Sequence, residues 1–280
     1  MGRARSWPPE GVVLALIPTV FLVFLELAVG GVALLAWADW RREVSRGFLL
    51  LSAVTLWLSG AIALWVREAF PLSITASPWR AVETPVVIAF LLLLGAYTVW
   101  VWRGIGPGRH ALVGLAALAG FGALGAAAFV HASVWGPLPT LVSLLLGAAG
   151  LGGSGVGMML GHWYLVTPNL STRPLVVMTL AFLVAAALQG ALLPLELGAA
   201  GASGEPAAGA QALLGGYPLA FILRVVVGIV LPVALGIMTY QTCRLRSMMS
   251  ATGLLYIAVS CVLAGEVIAK TLFFLTGVPI

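Results

Sequence analysis

Apolar residues in this chain come in eight long stretches, at about 11–37, 47–66, 84–102, 109–131, 138–165, 174–197, 215–242 and 248–276, each near the 20 residues that a helix needs to cross hydrocarbon. Arg, Pro, Gly and Ser collect in the short segments between them. The stretches are continuous, whereas the strands of a membrane β-barrel would alternate over segments of about ten residues. In lipid a helix satisfies its own backbone hydrogen bonds. The pattern therefore predicts an all-α integral membrane protein, with eight transmembrane helices in a single polytopic domain over 1–280.

Composition agrees: 61% of the residues are hydrophobic and 8% charged, too few charges to cover a water-facing surface. The first apolar run follows Met1-Gly-Arg-Ala-Arg5 but is too long for the core of a signal peptide. No small-x-small cleavage site precedes Trp37, so it is expected to stay as the first span. An even number of spans puts both termini on one face. That face carries Arg3, Arg5, Arg67 and Arg80; the other carries Arg41, Arg42, Arg46, Arg103, Arg109, Arg173, Arg244 and Arg246. Basic loops stay in the cytoplasm, which predicts both termini outside. The net charge of +5 thus reports topology and not binding to nucleic acid. Cys243 and Cys261 read as neither a disulfide framework nor a metal site.

Among the connections, 67–83 mixes Pro, Trp and charge, as an interfacial segment open to partners would, while 198–213 is low in complexity. Asn169-Leu-Ser171 fits a glycosylation sequon on the side where it goes unused. Gly153, Gly157 and Gly161, with Gly114, Leu118 and Gly122, form small-xxx-small repeats that predict spans four and five at the bundle centre. Trp57, Trp65, Trp100, Trp102, Trp135 and Trp163 fit an aromatic belt.

The candidate chemistry lies in the few polar residues inside the spans, because a charge in hydrocarbon costs several kcal/mol unless it is paired or wet. Glu26 sits near the middle of span one, His131 at the end of span four, Gln189 in span six, Arg224 in span seven, and Glu266 and Lys270 in span eight. On the predicted topology they share the outward half of the bundle. A Glu four residues before a Lys is the favourable order for an intrahelical ion pair, so packing alone also explains Glu266 and Lys270. Arg224 has Glu26, Glu266 or a ligand oxygen as possible partners. Haem b would need two histidines at one depth on facing helices; only His110 and His162 share a side. No metal site is expected.

The last span reads Gly265-Glu266-x-x-Ala-Lys270-x-Leu-Phe273-Phe274, and the first holds Phe24-Leu-Glu26-Leu-Ala-Val-Gly-Gly31. With eight spans and outside termini, these resemble the quinone-reactive membrane anchors of molybdopterin oxidoreductases, the dimethyl sulfoxide reductase anchor and NrfD/polysulfide reductase subunits. Lys270 stands where that family often has Arg, Phe274 where it has Tyr, and Glu26 departs from the glycine-rich element of span one. Gly161-His162-Trp163-Tyr164 belongs to no part of the pattern. The resemblance implies two four-helix bundles, a quinone or quinol site in the outer half, and a bacterial or archaeal plasma membrane. It also implies an iron–sulfur electron-transfer partner and a catalytic subunit. Arg224, Lys270 or His131 would then donate to a quinone oxygen, and Glu26 and Glu266 would carry protons. The rival readings are a proton-coupled secondary transporter, a haem b cytochrome subunit and a scaffold without chemistry.

Overall fold

The computed structural model describes residues 10–70, 77–106, 108–167, 170–202 and 212–280. Eight helical spans are long and apolar enough to cross a membrane, and no strand occurs among the described residues. They are α1 (Glu10–Arg41), α2 (Arg46–Ala69), α3 (Arg80–Arg103), α4 (Arg109–Val130), α5 (Pro137–Val166) and α6 (Arg173–Ala202). The seventh span joins α7 (Pro218–Val225) to α8 (Leu231–Arg244), and the eighth is α9 (Met248–Thr276). The sequon and the stretch 203–211 of the low-complexity connection lie outside the described residues, as do Arg3 and Arg5.

Local chemistry sets the helix ends. The Ser45 hydroxyl accepts from Phe48 N to start α2, and Pro137 occupies the first turn of α5, where its missing N–H costs nothing. Gly104 and Gly277 end α3 and α9 in the left-handed conformation that glycine adopts without strain. Arg46 at the start of α2 donates to the carbonyls of Val101 and Trp102, using two of the acceptors that the end of α3 leaves open. Between α7 and α8 the chain widens into a π-helical turn, Val226–Val230. The cause is Pro232, which has no N–H and would clash with the carbonyl four residues back.

Helices α1 and α5 form the centre. A Cβ on Gly30 would collide with the Ala148 backbone, and one on Gly152 with the Gly30–Gly31 backbone, so the two helices touch main chain to main chain. Gly153 gives α6 the same close approach, since a Cβ there would stand 2.8 Å from the Met178 carbonyl oxygen and the Phe182 nitrogen. Span five is central as expected. Span four also packs on α1, but through Gly120, whose Cβ would stand 3.0 Å from Val29, and not through the expected face, where Gly114 meets open space and Leu118 is exposed. Helix α1 packs on α2, α4, α5 and α9; α2 and α3 pack together, as do α3 and α4. In the second half α5 packs on α6, α6 on α8, and α8 and α5 both on α9.

Gly11 and Leu275 line one recess, so the start of the first span and the end of the last share a face. The opposite, arginine-rich face is tied by Arg46 to the end of α3, by Arg109 to Asp39 and by Arg173 to Glu43. Trp57 is no belt residue. It lies in mid-helix, and its indole N–H donates to the Leu91 carbonyl at 3.1 Å, joining α2 to α3.

Candidate functional site

Five of the six polar residues singled out in the spans converge. Lys270 Nζ lies 2.9 Å from Glu26 Oε1 across the α1–α9 contact and 3.3 Å from Glu266 Oε2 on its own helix. Glu266 Oε1 accepts from Gln189 Nε2 at 2.7 Å and faces Arg224 Nη1 at 3.6 Å. Ser143 Oγ on α5 takes a further Lys270 proton at 3.3 Å. The order Glu26, Lys270, Glu266, Arg224 alternates in sign and sums to zero when all four are ionised. All four are buried.

Glycine makes the room. A Cβ on Gly147 would stand 2.7 Å from Glu26 Oε2, so only glycine lets α5 lie over that carboxylate. Beside Arg224, Gly228 and Gly265 bring spans seven and eight together: a Cβ on Gly228 would be 2.7 Å from the Gly265 Cα and 2.8 Å from Arg224 Nη1. Lys270 does not reach towards the headgroups, as its place near the end of α9 allowed. It turns inward to Glu26.

His131, the sixth residue, belongs to a second site. It caps the end of α4, just beyond the fourth span, and helps line a recess of about 290 Å³ on the face where the first span starts and the last one ends. The walls are apolar, from Leu14, Pro18, Phe21 and Phe274 among others, with the polar groups of Arg67, Arg80 and His131 set among them. The imidazole packs between Phe21 and Phe274, with ring centroids at 6.3 and 5.3 Å. Its Nε2 is buried and has no hydrogen-bond partner. Burial, then the charges of Arg67 and Arg80, push its pKa down to about 3, so the ring is neutral at pH 7. A neutral imidazole can donate or accept one hydrogen bond.

Sequence reasoning missed the cations of this recess. Arg67 and Arg80 looked like loop charges that report topology, but Arg67 is held inside by an ion pair with the fully buried Glu83, and its Cζ lies 5.1 Å over the Phe21 ring. The available signal was Glu83 itself, an acid inside the first turn of a span. A third polar cluster was missed on the arginine-rich face. Asp39, fully buried near the end of α1, receives Arg109 Nη2 at 2.8 Å and the Tyr97 hydroxyl at 3.2 Å, with His110 Nε2 at 3.8 Å.

The two histidines considered for haem have separate partners. His110 turns to Asp39, whereas His162 is exposed and its Nδ1 lies 3.3 Å from the Tyr256 hydroxyl on α9. Trp163 packs edge-on against Phe48, and Tyr164 donates to the Ser171 carbonyl, so this motif ties α5 to α2 and to the start of α6. Among the described residues no three His, Cys, Asp or Glu side chains gather as metal ligands.

No family model and no curated protein matches this chain. What can be said of its chemistry therefore rests on the sites themselves. The deep cluster balances its charges, although Arg224 Nε, Nη1 and Nη2 make no hydrogen bond there. The recess is cationic, part apolar and open, and His131 Nε2 at its wall has no partner. From Phe21 to Glu26 is five residues, and from Phe274 to Lys270 four, so the cluster lies about 6–8 Å below the recess along α1 and α9.

Proposed function

We propose that this chain is the quinone-binding membrane subunit of a respiratory oxidoreductase, with the quinone ring in the recess beside His131. One observation carries the reading: an apolar, aromatic-walled recess at the end of the bundle is lined by a half-buried, neutral histidine whose Nε2 has no hydrogen-bond partner. A quinone needs such a site, with one donor for a carbonyl oxygen and apolar walls for ring and tail. Arg67 and Arg80 stabilise the negative charge that the ring carries once the quinol has given up a proton. Quinol oxidation releases two electrons and two protons. The electrons pass to an iron–sulfur partner on the recess face, which in turn serves a catalytic subunit, and Glu26 and Glu266 below the recess take up the protons.

In this reading both termini lie outside the plasma membrane, in accord with the arginine-rich opposite face. The two four-helix bundles that the resemblance implies, α1–α4 and α5–α9, would meet along the close α1–α5 contact. The test is equilibrium binding of decyl-substituted benzo- and naphthoquinones to the purified protein, read by quenching of tryptophan fluorescence. Saturable binding that weakens at least about tenfold in His131→Leu is expected, the worth of one good hydrogen bond. The same affinity in that variant, or no saturable binding, overturns the site.

A second reading, proton-coupled transport, draws on a different observation: the π-helical turn right after Arg224 and the ion pair joining α1 to α9. Broken helices beside intramembrane charges mark transporter sites. Substrate-driven acidification inside liposomes that hold the protein alone, without quinone, would favour it.

A further inference from the structure

On the arginine-rich face, Arg42, Gly106, Gly108, Arg109 and His110 line an open recess of about 530 Å³ between the end of α1 and the start of α4. We infer that this recess binds the phosphate of an anionic phospholipid. The inference stands apart from the quinone reading and concerns the other end of the bundle.

Three observations carry it. First, three of the five lining residues bring a guanidinium or an imidazole, and no carboxylate is among them. Asp39, which Arg109 reaches, is fully buried, and its Oδ1 lies 2.8 Å from Arg109 Nη2 and 3.8 Å from His110 Nε2, while Glu43 faces Arg41 and Arg173. One carboxylate thus answers Arg109 and leaves Arg42 over. Second, the donors exceed their acceptors. Arg109 Nε and His110 Nε2 are buried atoms without a hydrogen-bond partner, the kind of group whose desolvation a bound acceptor repays. Third, Gly106 and Gly108 line the recess without side chains of their own, and a Cβ on Gly106 would meet nothing within 4 Å, so an oxygen-rich group has room beside the main chain there. Arg42, held at φ 56°, stands at the rim directly after α1 ends.

A tetrahedral phosphate fits this chemistry, since an arginine fork binds two of its oxygens and the imidazole a third. The headgroup level of the membrane supplies phosphate diesters there at high local concentration. Free phosphate offers the same oxygens from water, and the experiment separates the two sources.

The full-length protein in neutral detergent is mixed with dioleoyl phosphatidylglycerol or dioleoyl phosphatidylcholine, and bound lipid is counted by native mass spectrometry. The test variant is Arg42→Gln with His110→Gln, which spares the Arg109–Asp39 pair. Arg244→Gln, an exposed cation at the end of α8, controls for general charge. Wild type and Arg244→Gln should retain phosphatidylglycerol alike, and the double variant should bind it at least about fivefold more weakly, the worth of one surface cation near an anionic headgroup. Matching thermal midpoints show that the variant is folded. If millimolar inorganic phosphate displaces the lipid, the site takes phosphate from either source; if it does not, the acyl chains are needed and the ligand is the lipid. Equal retention of both lipids by wild type, or equal loss in Arg244→Gln and the double variant, overturns the proposal.

Discussion

The deep cluster and the recess above it are both built from charges that a bilayer disfavours, yet they are balanced in opposite ways. In the cluster, Glu26, Lys270, Glu266 and Arg224 alternate in sign, and glycines let the neighbouring helices close over them. In the recess, Arg67 pairs with Glu83, and Arg80 and a neutral His131 line an apolar space of about 290 Å³. A charge set closed over by its neighbours holds helices in register. One set beside an open cavity leaves room for a ligand. Rarity of charge in an apolar sequence marks cost, and both arrangements meet it.

Breaking the cluster should have the largest effect. Lys270→Met leaves two buried carboxylates facing each other and is expected to cost about 3–5 kcal/mol, read as a lost folded fraction in thermal unfolding. Glu26→Gln added to Lys270→Met should recover much of that loss; failure to recover any would mean that Lys270 does more than answer Glu26. Next comes Gly147→Ala, whose methyl would stand 2.7 Å from Glu26 Oε2. Crowding of that kind costs about 1–3 kcal/mol, and the quinone affinity should stay unchanged if the two sites are independent.

The recess should answer in the reverse sense. His131→Leu is expected to keep the unfolding midpoint near the wild-type value, as it leaves no buried charge, while quinone affinity falls at least about tenfold. The smallest effect is a pH dependence. His131 is held neutral in the fold to about pH 3, whereas an unfolded histidine binds a proton near 6.5. Below that value the unfolded chain takes up the extra proton, so this contribution is present above pH 6.5 and is lost as the pH falls towards 3. Between pH 7 and 6 it amounts to about 0.7 kcal/mol. Comparing unfolding of wild type and His131→Leu at those two pH values checks it: on acidification wild type should lose about 0.7 kcal/mol relative to the variant, so two proteins of similar midpoint at pH 7 separate at pH 6.

Span number and type were legible because a membrane helix announces itself by length alone. Depth was legible too, which is why Glu26, Gln189, Arg224, Glu266 and Lys270 were expected at one level and are found together. Rotation about each helix axis was not, because every face of a span such as α1 is apolar and no periodicity separates core from lipid. That is why Trp57 passed for a belt residue and Gly114, instead of Gly120, for the packing glycine of span four. Arg67 and Asp39 were misjudged for a different reason. At a span end an arginine serves topology whether or not it is buried, and the partners that bury these two, Glu83 and Arg109, arrive from other helices.

The Glu26–Lys270 pair also sets an order of events during synthesis. Its carboxylate enters the bilayer with the first span, and its amine follows only with the last, about 240 residues later. At 5–20 residues per second, that is a wait of about 12–50 s. Throughout that interval Glu26 has to be protonated or sheltered by the insertion machinery, and the first four spans remain a provisional assembly until α9 arrives. A ribosome stalled before residue 270 leaves a chain with its costliest side chain unanswered, which gives membrane quality control a plain feature by which to tell an unfinished copy from a finished one.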